Sequence, residues 1–377
     1  MKKQHNQTNL IFCHKLIKAF ADSLVKAFIP LIILKNSGSM MLVMLYLTSY
    51  YALCCLLNVA LKKFLQKYGI VAMILHTVPL IALQFLLTLS PNWWLCLIVA
   101  LLASLAQVLY SVPLNLLFAF TDKRINVAKF QISTNVGKLI FILLSGYIIG
   151  SEFKNSILIL AVLGTLLYLS SIIPILYGYK LLKTSYEKLA AKKQPEYDRT
   201  SYKYFNIFHI CFSLFQSVLD VIVPLYLYTE NLTFEAVAIV MALIEVCKIG
   251  ANLLAKQLIK RKHALASCMI SVCCMTVGII VMLTVKIPVV LYICSCIIAI
   301  SFPLLFVPMF RTFVKKVTSD SNQFDGMSYR DVYIMLGKNI MYVPYFIFPS
   351  LITSFIVGLA ATAGVGFCCT KIIKKQK

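Results

Sequence analysis

The sequence predicts an all-α integral membrane protein, a bundle of twelve transmembrane helices in two pseudo-symmetric halves of six. Three observations lead there. The chain is 60% hydrophobic and 13% charged, with a mean hydropathy of +0.87, too little charge to coat a water-soluble surface. Its apolar runs are about 20 residues long, the length of a spanning helix, not the alternating segments of about ten that build a membrane barrel. Finally, residues of the first half return in the same order in the second.

The expected segments are 11–34, 39–60, 70–89, 93–119, 130–150, 156–179, 204–228, 233–255, 264–284, 288–310, 330–350 and 352–370. The first follows a basic start, MKKQHNQTNLIF, and is read as a retained helix, because His14, Lys15 and Lys18 interrupt the apolar run and no small-residue cleavage site follows. At about 100° per residue, His14, Lys15, Lys18, Asp22 and Lys26 share an arc of about 120°. In the fourth segment Ser104, Gln107, Ser111 and Asn115 share a face, and in the fifth Gln131, Thr134, Asn135 and Lys138. The seventh carries Asn206, His209, Ser213, Gln216, Ser217 and Asp220 within about 100°. The eighth has Glu245, Lys248 and Asn252 on one face; the eleventh has Asp331, Lys338, Tyr342 and Tyr345. Segments 3, 6, 9 and 12 are almost purely apolar.

Charge in the loops orients the bundle. One set holds Lys62, Lys63 and Lys67, then Lys123, Arg124 and Lys129, the linker, then Lys256, Lys260, Arg261 and Lys262, and Arg311, Lys315 and Lys316. The opposite set has only Lys35, Lys154 and Lys286. Both termini and the linker are therefore expected in the cytoplasm, with a cell (plasma or inner) membrane as the site. The same bias explains the net charge of +23 without nucleic acid. The thirteen cysteines show no CxxC spacing and read as small packing residues. The polar stretch 180–203 is read as a surface helix or a charged tether, dividing an N-terminal half, 1–179, from a C-terminal half, 204–377.

The halves share more than helix number. LIKAFADSLVKAFIPLIILK at Leu16 returns 194 positions later, with Ser23 on Ser217, Pro30 on Pro224 and Leu31 on Leu225. Asn58 falls on Asn252 and Lys62 on Lys256; Val112-Pro113 matches Val307-Pro308; Gly137-Lys138-x-Ile140 matches Gly337-Lys338-x-Ile340. Six helices per half make the repeat parallel.

On these features the chain resembles the major facilitator superfamily of secondary transporters. The resemblance rests on the two six-helix halves, the long basic linker, the basic loops after helices two and eight, and the polar first helix ending near Pro30. The loop LNVALKKFLQKYG keeps Lys62, Lys63, Lys67 and Gly69 but lacks the acidic residue of the family's signature. The resemblance implies alternating access around a central cavity lined by helices 1, 4, 7 and 10 with parts of 2, 5, 8 and 11, where most of the polar stripes fall.

The candidate substrate residues are Lys18, Asp22, Lys26, Gln107, Lys138, Gln216, Asp220, Glu245, Lys248 and Lys338, because charges facing lipid cost several kcal/mol each, to order of magnitude. Plainer readings stand beside these: Lys15 and Lys18 as snorkelling residues, Lys26 snorkelling outward or paired with Asp22, Glu245 paired with Lys248, and Asp331 as a helix cap; His14 and His209 read equally as hydrogen-bonded helix residues or as proton carriers. Asp22, Glu245 and Asp220 are the candidates for proton coupling. An excess of lysines over acids favours an anionic or zwitterionic solute. GxxxxGK[ST], HExxH and nucleophile-elbow motifs do not occur, so neither ATP-driven transport nor enzymatic activity is expected, and neither a cofactor nor a metal. The expected partners are a small-molecule substrate, protons and the lipid bilayer, with the protein a monomer. An exporter or flippase of amphipathic drugs or lipids, and a non-transporting receptor or scaffold, are the alternatives.

Overall fold

The computed structural model describes residues 2–120, 127–151, 155–190, 198, 200–260, 263–285, 287–320 and 323–374. The basic loop residues Lys123, Arg124, Lys154, Lys192, Lys193, Arg199, Arg261, Lys262 and Lys286 lie outside them. Sixteen α-helices run through the described residues: α1 Lys2–Leu24, α2 Ile29–Ser37, α3 Met40–Ala60, α4 Lys62–Leu75, α5 Thr77–Leu86, α6 Trp93–Phe120, α7 Val127–Gly150, α8 Ser156–Tyr177, α9 Tyr179–Ala190, α10 Lys203–Ser217, α11 Val223–Thr229, α12 Phe234–Lys260, α13 Ala264–Thr284, α14 Pro288–Ser319, α15 Gln323–Tyr342 and α16 Leu351–Lys374.

Among the described residues, eight helical stretches are long and apolar enough to cross a membrane, or nine if the bent pair α4–α5 counts as one. This is an integral, multi-pass membrane protein. Among the described residues, three of the twelve expected spans do not meet that measure. The first carries Lys18, Asp22 and Lys26 and is broken between α1 and α2. In α7 the apolar stretch among the described residues is Thr134–Gly150. The eleventh carries Arg330, Asp331 and Lys338, and its helix gives way to a 3-10 turn at Val343–Phe346.

The breaks follow the prolines. A proline cannot donate to the carbonyl four residues back; for Pro30 that is Lys26, for Pro79 Leu75, for Pro224 Asp220. At the first, Val25 leaves helical geometry (φ −123°, ψ −51°), Lys26–Phe28 forms a 3-10 turn, and the Ile29 amide takes the Lys26 carbonyl. At the second, α4 and α5 meet at 43°. At the third, Val218–Ile222 winds as a π-helix between α10 and α11. The first and third breaks occupy the same repeat position. Gly38 closes α2 in the left-handed region at φ 64°, and Ser39 caps α3 by accepting from the Leu42 amide.

The helices gather into two compact units that interleave along the sequence. One comprises Met1–Asn126, Ser151–Tyr197 and Lys316–Met335; the other comprises Val127–Gly150, Asp198–Lys315 and Leu336–Lys377. In the first unit α1 lies along α8, α3 along α6, and α5 touches both α6 and α8. Ala21, Leu80, Ala106 and Tyr168 pack together at their centre. Leu166, Leu169, Ile173 and Leu176 of α8 are exposed, a face suited to lipid. The linker helix α9 is amphipathic. Leu182, Tyr186 and Ala190 are buried, whereas Lys180, Lys183, Glu187 and Lys188 are exposed. Its apolar side docks on α4. The Tyr186 ring fills the space that a side chain at Gly69 would need, and its hydroxyl donates to the Leu65 carbonyl at 2.6 Å. Burial pushes the Tyr186 phenol above its ordinary titration range.

In the second unit α7 runs against α12 along much of its length. Gly146 packs on Ala238 with no room for a Cβ, and Gly150 lies against the carboxylate of Glu235. Small residues at the contact are the usual device for close approach between helices in lipid. The other principal packings are of α16 on α10 and on α13. Asn58 in one unit and Asn252 in the other, paired in the sequence repeat, make the same bond: each side-chain amide donates to the carbonyl four residues back, at 3.0 and 2.7 Å.

Candidate functional site

Each unit builds one charged cluster beside the proline break of its broken helix. In the first unit the stripe of α1 sets His14, Lys18 and Asp22 one turn apart. Lys18 Nζ donates to Asp22 Oδ2 at 2.5 Å, and the Tyr168 hydroxyl of α8 donates to Oδ1 at 2.7 Å. Both carboxylate oxygens thus accept from fixed donors. Lys18 is buried, 3% exposed, and its ammonium lies 4.2 Å from the centroid of the Tyr110 ring, a cation–π contact that offsets part of its desolvation. Lys26, at the break, donates to Gln107 Oε1 at 3.0 Å while its charge also acts on Asp22.

The second unit's cluster is centred on Asp220, on the π-helical turn. Gln216 donates to Asp220 Oδ2 at 3.0 Å. Lys248 of α12 donates to Asp220 Oδ1 at 3.3 Å and to Glu245 Oε1 at 2.9 Å. The Asn135 side chain of α7, with its amide nitrogen facing Glu245, donates to Glu245 Oε2 at 3.2 Å. Lys338 and Lys138 also act electrostatically on Asp220. Glu245 and Lys248 are 6% and 8% exposed, while the Asp220 side chain is 37% exposed. This group sets Lys248 of α12 between two carboxylates, with Lys138 of α7 and Lys338 of α15 acting on Asp220, the more accessible of the two.

A third group lies in the first unit at the start of α15. Lys62 pairs with Asp325 at 2.8 Å, Arg330 with Asp331 at 3.0 Å, and Asn115 donates to both oxygens of Asp331 at 3.4 Å. Lys62 is one of the signature-loop lysines, so its acidic partner comes from α15.

All ten candidate residues lie in the first two clusters. Lys18 is buried in an ion pair. Lys26 bonds Gln107 rather than Asp22. Asp331 is bound to Arg330 and Asn115 inside its helix rather than capping it. Two residues absent from the candidate set stand in the first cluster. Tyr168 comes from segment 6, read as an apolar support, yet it holds Asp22. Tyr110, one residue short of the Ser111 stripe position, carries Lys18 on its ring face. Neither contact has a signature in spacing along one helix, since each joins two helices distant in sequence. Among the described residues no group of three or more His, Cys, Asp or Glu is arranged to hold a metal ion.

The sequence model of the Major Facilitator Superfamily matches residues 11–349. Two crystal structures of a bacterial homologue of the iron transporter ferroportin, both in the outward-facing state and one with soaked iron, share the fold. Each has a TM-score of 0.71, at 15% and 14% identity, and the matches cover 97% and 98% of this chain and 99% and 98% of theirs. No curated protein matches the chain in sequence.

Proposed function

Because the chain belongs to the Major Facilitator Superfamily, and so to a family of membrane transporters, we propose that it is a secondary transporter that moves a small organic anion by alternating access, coupled to protons. The observation that carries the reading is the grouping of Lys138, Lys248 and Lys338 around Asp220. Three cations on three helices around an accessible carboxylate suit a solute bearing carboxylate or phosphate groups. On this reading α1–α2, α7 and α15 complete a set of twelve spans in two halves, 1–179 and 204–377, joined by 180–203. The termini face the cytoplasm, the cell membrane is the site, and the monomer is the working unit.

Coupling follows from competition for lysine. Glu245 holds Lys248 at 2.9 Å, and Asp22 holds Lys18. A carboxylate so paired takes a proton only when its lysine leaves. An incoming anion that draws Lys248 away frees Glu245 and Asp220 to be protonated, so anion and proton enter together. The order reverses on release.

The test is uptake and counterflow in proteoliposomes against a panel of organic acids, neutral metabolites, amphipathic drugs and lipid analogues, with and without a pH gradient. The expected result is saturable uptake of an anion, stimulated by an inward proton gradient, with apparent affinity weakened at least tenfold in Lys138→Ala and Lys338→Ala. Wild-type affinity in both variants overturns the cationic-site assignment. Gradient-driven accumulation that persists in both Asp22→Asn and Glu245→Gln overturns the coupling assignment.

A further inference from the structure

Two imidazoles are buried side by side in the first unit, each with one nitrogen left over. His14 belongs to the polar stripe of α1, and His76 sits at the bend between α4 and α5. Both are 0% exposed. Nδ1 of His14 lies 2.7 Å from the Ser171 carbonyl oxygen, and Nδ1 of His76 lies 2.5 Å from that of Met73. A carbonyl oxygen only accepts, so each Nδ1 carries the hydrogen. In the neutral ring Nε2 is then a bare lone pair. Neither Nε2 has a hydrogen-bond partner. The ring centroids are 6.1 Å apart, edge to face. Tyr110 touches both, at 5.5 Å from His14 and stacked at 4.7 Å on His76, and its hydroxyl is also buried without a partner.

Buried polar atoms without partners are uncommon in folded proteins, and each calls for an explanation. Here three occur on mutually contacting rings. Two are acceptors, and the third is a hydroxyl able to donate or accept. What such a set lacks is a hydrogen: a proton, with or without a water that carries it.

We propose that His14 and His76, with Tyr110, form a binding site for a single proton in the first unit, separate from Asp22. This rests on reading the chain as a proton-coupled carrier. The proton binds one Nε2, converting that ring to imidazolium, whose new N–H donates to the lone pair of the other ring directly or through water. No other atom changes valence. Occupancy stops at one because a second imidazolium would stand about 6 Å from the first in a poorly screened interior. The charged groups that act on the rings are Lys18 and Asp22, both from α1. The facing hydroxyls are Tyr110 of α6 and, on Asp22, Tyr168 of α8. The ammonium of Lys18, 4.2 Å from the Tyr110 centroid, opposes any added positive charge at the rings, the proton included, while Asp22 favours it. Among the described residues, no third donor completes a metal set. A proton on the pair repels Lys18 and strengthens its hold on Asp22, so the site and the ion pair are linked along one helix face.

The experiment is histidine-selective 15N NMR of the full chain in lipid nanodiscs through a pH titration, with signals assigned by His14→Gln and His76→Gln. The expected neutral form has hydrogen on Nδ1 in both rings. The expected titration is coupled: removing either histidine shifts the midpoint of the other by about one pH unit, the scale of strongly interacting sites. Hydrogen on Nε2 in either neutral ring overturns the proposal, as does a midpoint unchanged by loss of the partner. The neutral-form spectrum needs no variant, so a substitution that prevents folding leaves that arm intact. Proton-gradient dependence of transport is measured separately on the wild type. Paired rings with gradient-indifferent transport sink the coupled-carrier reading and leave the site standing. Gradient-driven transport with independent rings sinks the site and leaves the reading.

Discussion

Replacing Lys248 by Met separates the contributions of the second unit's ion pairs. The Lys248 side chain is 10% exposed and touches Glu245, 7% exposed, at 2.9 Å and Asp220, 37% exposed, at 3.3 Å. Removing one member of a buried pair strands the other as an uncompensated charge, a loss of about 3–5 kcal/mol. Glu245 would be stranded, apart from its bond to Asn135. Asp220 is more than a third exposed, so solvent screens its share of the interaction, and Asp220→Asn is expected to cost no more than about 1 kcal/mol.

The double variant Glu245→Gln, Lys248→Met removes both buried charges at similar volume. It is expected to recover about 2 kcal/mol or more relative to the sum of the single variants. The assay is reversible unfolding by SDS titration in mixed micelles, followed by circular dichroism, for the wild type, the three single variants and the double. If Lys248→Met costs no more than Asp220→Asn, the pair is not buried and partnered as described. If the double variant equals the sum of the singles, Glu245 and Lys248 do not interact.

Three further outcomes follow from named contacts. Gly69→Ala drives a Cβ into the Tyr186 ring and should cost about 1–3 kcal/mol; combined with Tyr186→Ala, which removes the obstructing ring, it should add almost nothing, as the same SDS titration would register. Tyr186→Phe loses the bond to Leu65, about 1 kcal/mol. The buried phenol titrates above its unfolded value of about 10, so its neutral form contributes full stability below that pH and loses it as pH rises through the folded value. A stability profile from pH 8 to 11 should therefore fall more steeply for the wild type than for Tyr186→Phe. Tyr168→Phe removes a donor to an ionised acceptor and should cost about 1.5–3 kcal/mol. It should also change the pH profile of transport, because Asp22 is then held by Lys18 and the field of Lys26; an unchanged profile separates Asp22 from coupling.

Much of the helical plan was legible because burial in lipid and covalent geometry act locally. Apolar length marks the spans, and a proline marks its own missing donor. The expected first segment, 11–34, runs through the turn at Lys26–Phe28 that parts α1 from α2, because apolar length alone does not show where a helix is interrupted. The pair Glu245–Lys248 was legible from i, i+3 spacing. The convergence of Lys138 and Lys338 on Asp220 had only an indirect sign, their shared repeat position. Tyr168 and His76 were not legible as members of these clusters. Each lies in a segment that is otherwise apolar, and each gains its role from a partner on another helix: Tyr168 from Asp22, His76 from His14 and Tyr110. A lone histidine in a spanning segment was the available signal, and spacing along its own helix added nothing to it.

The two broken helices show how a repeated sequence pattern is surrounded by different partners. The proline break falls at the same repeat position in both, at Lys26 and at Asp220, and each break residue draws a partner from another helix. Lys26 reaches a neutral amide, Gln107. Asp220 is met by Lys248, with Lys138 and Lys338 in range. Counting back from the Val-Pro match, Gln107 corresponds to Phe302, whose ring centroid lies 5.6 Å from Lys248. One position thus offers an oxygen to a cation in the first unit and a π-face in the second. The backbone irregularity is set by proline and retained, while the side chains around it are free to differ in sign. On the proposed reading, selectivity for charge resides in the partners of Lys26 and Asp220, and exchanging Gln107 for Glu should close the first site on itself by neutralising Lys26 while leaving the second unit's cluster unchanged. Retained anion uptake with altered gradient dependence is the outcome expected of that variant. Loss of anion affinity, with the protein folded, would place the solute on Lys26 instead of on the three lysines around Asp220.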